Sequence, residues 1–247
     1  MNGLLVLLLL ILIAALPVFL VYLWFRISRF PLSLPWFLFF LLSGAAALFI
    51  ALLLQRLFPT SPPANSPLAS VIFNVFCKTA LTEELGRLLM LLLFFKILNL
   101  IGKGFPPSPK PPGPPGAVNA AGPVPDISSN NAPLWGAIAG LIAGLGFALI
   151  ENASYGAANM GVTLLRAFTA APLHGACGAR VGAAAAICRD RPLPALARFL
   201  SAVAIHGMYN FIILIPGIPI VFAIFAALSA LGSSVLFIHG ALREAKG

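Results

Sequence analysis

A chain of 247 residues that is 60% hydrophobic and only 9% charged, with a mean hydropathy of +1.03, has too little polar surface to fold as one or two soluble domains. Its net charge of +9 does not gather on any soluble domain, which argues against nucleic acid as a partner and leaves the charge to be explained by membrane topology. Only Glu83, Glu84, Asp126, Glu151, Asp190 and Glu244 are acidic, and Glu83, Glu84 and Glu151 lie inside apolar stretches, where each ionised group costs about 3 kcal/mol or more unless paired or wetted.

Uncharged runs of about 20 residues predict an all-α, polytopic transmembrane helix bundle of about seven spans. The spans are placed near residues 3–25, 34–55, 68–101, 132–157, 161–188, 195–214 and 217–239. The first run is too long for a signal peptide, lacks a basic start and is followed directly by "RISR", so it reads as a retained anchor. Arg26 and Arg29 follow the first span, Lys103 and Lys110 the third, Arg189 and Arg191 the fifth, and Arg243 and Lys246 the seventh. By the positive-inside rule these loops are cytoplasmic, giving an outside N-terminus and a cytoplasmic C-terminus; the other side holds little beyond Arg56 and Arg166. Residues 102–133 are too rich in Pro and Gly to pack and read as a cytoplasmic linker of polyproline II character, with 59–67 a shorter outer connector. Cys77, Cys177 and Cys188 are scattered and odd in number, which predicts neither a disulfide nor a cysteine metal site. No internal repeat suggests the inverted halves of a transporter.

The third span is the most polar and, at 34 residues, longer than a crossing needs, so an outer amphipathic turn or a break is expected before Thr82. In "TEELGR", Glu83 and Arg87 share a helix face; the same residues also read as an ordinary helix N-cap and first turn. In the fourth span Phe147, Glu151 and Tyr155 share one face beside a small-residue stripe, Gly136, Gly140, Gly144 and Ala148, that suits close packing of another helix. Glu151 is either a site residue or a structural partner of Arg166 or Arg87. The fifth span holds Pro172, expected to bend it, then His174 and the glycines 175, 178 and 182. The sixth places His206 and Asn210 one turn apart, and His239 sits at the interfacial end of the seventh.

At ~1.5 Å per residue, Glu83 and Glu151 lie ~25 Å from the cytoplasmic ends of their spans, His174 ~20 Å, and His206 and Asn210 ~16–23 Å. Four helices therefore offer carboxylates and imidazoles at overlapping depth, and Glu83, Glu84, Glu151, His174 and His206 are expected around one cavity in the outer half of the membrane. Such a set suits water activation for amide hydrolysis, in which one Glu takes the proton and the others hold a metal or stabilise the oxyanion. No Ser or Cys stands beside a His as a nucleophile. Two other classes fit the same residues: a transporter using them as a proton relay, and an inert adaptor whose cavity holds a partner helix.

"EELGR" (83–87), "FALIEN" (147–152), "LHGA" (173–176) and "HGMYN" (206–210) together resemble, in order and spacing, the PrsW family of intramembrane proteases, relatives of the CAAX prenyl endopeptidases and the Abi proteins. The resemblance covers roughly residues 68–215, interrupted by the 102–133 linker, with 1–57 an N-terminal two-span region and 216–247 the last span and a basic tail. Arg87 stands where the family commonly has Lys, and the linker is long for the family. The resemblance implies Glu83 or Glu84 as general base, Asn210 as a polarising partner, Arg87 as the catalytic basic residue that can hold a carboxylate ionised, and Glu151, His174 and His206 as ligands of zinc. Two His and a Glu can complete a zinc site with an open water position, although the His-Glu-x-x-His pattern is absent; the CAAX relatives point instead to a glutamate-dependent reaction without metal. It further implies a membrane-anchored protein substrate, an anti-sigma factor being one candidate, and a place in the inner membrane of a bacterial cell.

Overall fold

The computed structural model describes residues 3–28, 32–57, 67–100, 132–156, 160–215 and 217–244, and all of its regular structure there is helical. In chain order the helices are α1 (Gly3–Ile27), α2 (Leu34–Leu57), α3 (Pro67–Ile72), a π-helical segment (Phe73–Ala80), α4 (Leu81–Leu100), α5 (Ala132–Gly156), α6 (Met160–Phe168), α7 (Ala170–Ile187), α8 (Pro192–Leu214) and α9 (Ile220–Glu244). The proline-rich linker, with Lys103 and Lys110, nearly all of the 59–67 connector, Arg29 and Lys246 lie outside the described residues.

Five helices are long and apolar enough to cross a membrane: α1, α2, α5, α8 and α9. The two further expected spans correspond to α4 and α7. Their compositions fall short for a chemical reason, since α4 carries Glu83, Glu84, Arg87 and Lys96 in 20 residues and α7 carries His174 and Arg180 in 18. These are the helices that bring most of the polar groups to the interior.

Helix α5 is the axis of the bundle: 83% of its apolar window is buried, against 17–33% in the other four. Its glycine stripe explains this. A Cβ on Gly136, Gly140 or Gly144 would run into the carbonyl of Gly182, Gly178 or His174, so α5 and α7 touch backbone to backbone. On its other side Gly146 meets the Leu41 carbonyl, and Gly44 of α2 meets that of Ala143. Trp36, Phe39, Phe40 and Phe94 pack ring against ring between α2 and α4.

Of the two expectations before Thr82, an amphipathic turn or a break, the chain shows an amphipathic π-helical segment and no break. The Leu81 N–H donates to the Phe76 carbonyl, five residues back, and Leu81 keeps helical angles (φ −61°, ψ −46°), so π turns pass into α4 without a stop. Thr82 Oγ1 donates backwards to the carbonyls of Lys78 (2.6 Å) and Thr79 (3.0 Å), so it does not cap a helix start, and the N-cap reading of "TEE" fails. The fifth expected span also divides. It stops at Thr169 (φ −121°, ψ −63°), and Pro172 falls in the first turn of α7, where a missing N–H costs nothing; the break lies before the proline rather than as a bend at it. Tyr209 of α8 fixes this joint by donating to Thr169 Oγ1 at 2.8 Å.

Candidate active site

One end of the bundle gathers the first turns of α4, the last turns of α5, the start of α7 and the middle of α8. Successive helical positions place Glu83, Glu84 and Arg87 on the inner face of α4, and all three are buried. The guanidinium of Arg87 is fully enclosed. Its Nη1 donates to Glu84 Oε1 (2.6 Å) and Oε2 (2.5 Å), its Nη2 donates to His174 Nδ1 (2.6 Å), and its carbon lies 4.4 Å over the Phe147 ring. The pairing expected with Glu83 is the weaker one, at 3.7 Å. Glu84 three residues before Arg87 wins because its oxygens also meet His206, whose Nδ1 lies 2.7 Å from Glu84 Oε1.

Because arginine can only donate, His174 Nδ1 must accept, so the proton of the neutral ring is on Nε2 and is donated to Glu151 Oε2 at 2.8 Å. His206 donates from Nδ1 to Glu84, which in the neutral ring leaves the Nε2 lone pair facing Glu83 Oε2 at 3.7 Å. That Glu83 oxygen is buried and has no hydrogen-bond partner. The two imidazoles meet edge to face with centroids 5.0 Å apart.

At the end of α5, Glu151 Oε2 also accepts from Arg166 Nη2 of α6 at 2.6 Å. Arg166 Nε donates to Asn152 Oδ1 (2.9 Å), and its carbon sits 4.2 Å over the Tyr155 ring. Glu151 therefore has both partners at once, the structural arginine and the histidine. A cavity of about 600 Å³ opens beside this network, with Glu83, Glu151, Arg166, Asn210, Asn74 and Thr79 among its lining residues.

The structure thus brings Glu83, Glu84, Arg87, Glu151, His174 and His206 into one continuous network, while Asn210 lines the cavity one turn beyond His206. His239 is exposed on the far part of α9. Of the residues expected as ligands, His174 and His206 lie together with Glu83 in a cluster that could hold a metal ion. Ligand atoms of Glu83, His174 and His206 lie within 4.8 Å of one another, whereas Glu151 sits on the outer side of His174, held there by Arg166. Two imidazoles and a carboxylate are a donor set suited to zinc, and Glu83 Oε2 and His206 Nε2 present lone pairs to a shared space. Both histidines have their other nitrogen on a carboxylate, the usual way of orienting a metal-binding imidazole. Arg87 is the one competitor: it holds His174 Nδ1, and a metal at that nitrogen would take its place.

Sequence reasoning gave Asn152 no role and did not foresee the Tyr209–Thr169 joint. Asn152 stands next to Glu151 in the quoted motif, but its use depends on where α6 delivers Arg166, which no spacing reveals.

The family model described as PrsW family intramembrane metalloprotease matches residues 32–233, most of the chain. No curated protein and no solved structure matches.

Proposed function

We propose, since the chain belongs to the PrsW family of intramembrane metalloproteases, that it hydrolyses a peptide bond of a membrane-anchored protein in the cavity beside Glu83, with Glu83, His174 and His206 holding zinc. The observation that carries this reading is the orphaned Glu83 Oε2 facing the free Nε2 of His206 at 3.7 Å, with His174 completing the trio. A zinc ion bound there would acidify its water and polarise the scissile carbonyl.

Each residue then has a physical task. Glu84 orients His206 through Nδ1, and Arg87 holds Glu84 in place. Glu151, on the cavity wall, takes the proton from the attacking water and returns it to the leaving amine as the C–N bond breaks. Arg166 sets the position of Glu151 and, with Asn210, offers donors to the oxygen on which negative charge develops. A substrate helix must unwind before its carbonyl can be reached, and its freed backbone groups need partners inside the membrane. Gln55, Asn74, Thr79 and Ser154 supply such partners along the cavity, and Leu48, Leu52, Ile213 and Leu214 supply its apolar walls.

One observation favours a second reading. Both nitrogens of His174 are engaged, by Arg87 and Glu151. Without a metal, Glu83 would itself take the proton, as in a glutamate-dependent hydrolase. The two readings part in one experiment: zinc per chain and cleavage of a single-span reporter, measured on purified protein reconstituted in lipid. Metal-assisted hydrolysis predicts about one zinc per chain, lost in His206→Ala and retained in Glu151→Gln, with both variants inactive. Full activity at zinc far below one per chain would select the glutamate mechanism, and no cleavage by zinc-loaded wild type would remove both. By the same family resemblance, an anti-sigma factor is the proposed substrate and the inner membrane of a bacterial cell the proposed location.

A further inference from the structure

We propose that Arg180, Arg198, Ser201 and Ser233 form a binding site for a phosphate group, either the headgroup of an anionic phospholipid or free phosphate. It lies where α7, α8 and α9 meet, away from Glu83.

These side chains, with Ser234, line a cavity of about 250 Å³. Helices α7 and α8 are joined by the short 188–191 connection and α9 runs antiparallel to α8, so three ends lie together: the end of α7, the start of α8 and the His239 end of the last span. Counting ~1.5 Å per residue, Arg180 is ~10 Å from the end of α7, Arg198 ~9 Å from the start of α8 and Ser233 ~9 Å from His239. Three helices thus bring cationic and hydroxyl groups to one depth, ~10 Å inside the helix ends near which the exposed Arg189 and Arg191 lie.

The electrostatics are incomplete without an anion. Arg180 donates to Ala176 O (3.0 Å), Ser234 Oγ (2.8 Å) and Ser233 Oγ (2.6 Å), all of them uncharged. Arg198 rests its guanidinium 5.6 Å over the Phe237 ring. Among the described residues neither arginine has an ion pair, although the same chain gives Arg87 and Arg166 carboxylates. The hydroxyls of Ser201 and Ser233 donate to carbonyls three residues back, Arg198 O (2.7 Å) and Ala230 O (2.8 Å), bonds that one χ1 rotation exchanges for a ligand oxygen. Two guanidinium forks and rotatable hydroxyls match the acceptor-only oxygens of phosphate. Basic pockets between transmembrane helices near a headgroup region take phospholipid phosphates by this chemistry.

The test is native mass spectrometry of the full-length protein released from nanodiscs of phosphatidylglycerol and phosphatidylcholine in equal amounts. Wild type should retain phosphatidylglycerol in preference, Arg198→Gln should lose about fivefold of that preference, and Arg180→Gln with Arg198→Gln should abolish it. Should the Arg180 variant not fold, Arg198→Gln and Ser201→Ala still decide, since the Ser201 hydrogen bond stays within α8 and Arg198 reaches α9 only through its 5.6 Å stacking on Phe237. Displacement of the lipid by millimolar inorganic phosphate would assign the site to free phosphate, and resistance to it would assign the lipid headgroup. Equal retention of the two lipids by wild type together with no retained phosphate in millimolar inorganic phosphate, or an Arg198→Gln variant with unchanged retention, would overturn the proposal.

Discussion

Replacing Arg87 with Met keeps the side-chain length and removes the charge from the centre of the network. Glu84 then loses both of its arginine hydrogen bonds (2.6 and 2.5 Å), His174 Nδ1 loses its donor (2.6 Å), and Phe147 loses the guanidinium 4.4 Å above it. Stripping one partner from a fully buried ion pair costs about 3–5 kcal/mol, because the other charge is left uncompensated. For a chain of this length that is a fall in Tm on the order of 10 °C. Adding Glu84→Gln removes the stranded charge, so the double variant should be more stable than the sum of the single losses by about 2 kcal/mol or more. Thermal unfolding of purified protein, followed by the fluorescence of its three tryptophans, reads all four corners of the cycle. An Arg87→Met variant within about 2 °C of wild type, or strict additivity in the cycle, would refute the buried pairing as the anchor of the site.

Gly140→Val drives a side chain into the Gly178 carbonyl and should cost about 2–3 kcal/mol by the same unfolding assay, whereas Gly232→Ala, with nothing within 4 Å of the new Cβ, should cost nothing. Tyr209→Phe loses the 2.8 Å bond to Thr169 Oγ1 and should lower stability by about 1 kcal/mol while kcat/KM for the reporter changes less than about threefold. The distribution of Arg26, Arg189, Arg191 and Arg243 predicts that a Cys placed at Ser108, in a chain freed of its other cysteines, stays unlabelled by an impermeant reagent in intact cells and is labelled after permeabilisation.

Much of the site was legible because costly residues in an apolar chain must find partners, and four short motifs at overlapping depth name nearly all of them. The glycine stripe of α5 was legible for a similar reason, since helical spacing alone puts Gly136, Gly140 and Gly144 on one face. What spacing could not show was which partner wins. Arg87 can reach both Glu83 and Glu84 along its own helix, and the choice is made by His206 arriving from α8. The same holds for the candidate metal cluster: Arg166, delivered by α6, pairs with Glu151 of α5, while Glu83 comes to lie beside the two imidazoles. The π turns before Leu81 leave no sequence signature of their own; Gly207 packing onto the Phe76 ring is a tertiary contact. Arg180 and Arg198 were invisible as a pair because they come from different helices with no shared motif.

Intramembrane proteolysis centred on Glu83 is tested most directly by comparing membrane-protein fragments from cells carrying wild type, Glu83→Gln or His206→Ala. Wild type alone should yield fragments whose new ends lie inside or at the edge of a transmembrane segment, next to helix-breaking residues that let the backbone unwind. Identical fragments from all three strains, or wild-type cuts confined to soluble proteins, would contradict it.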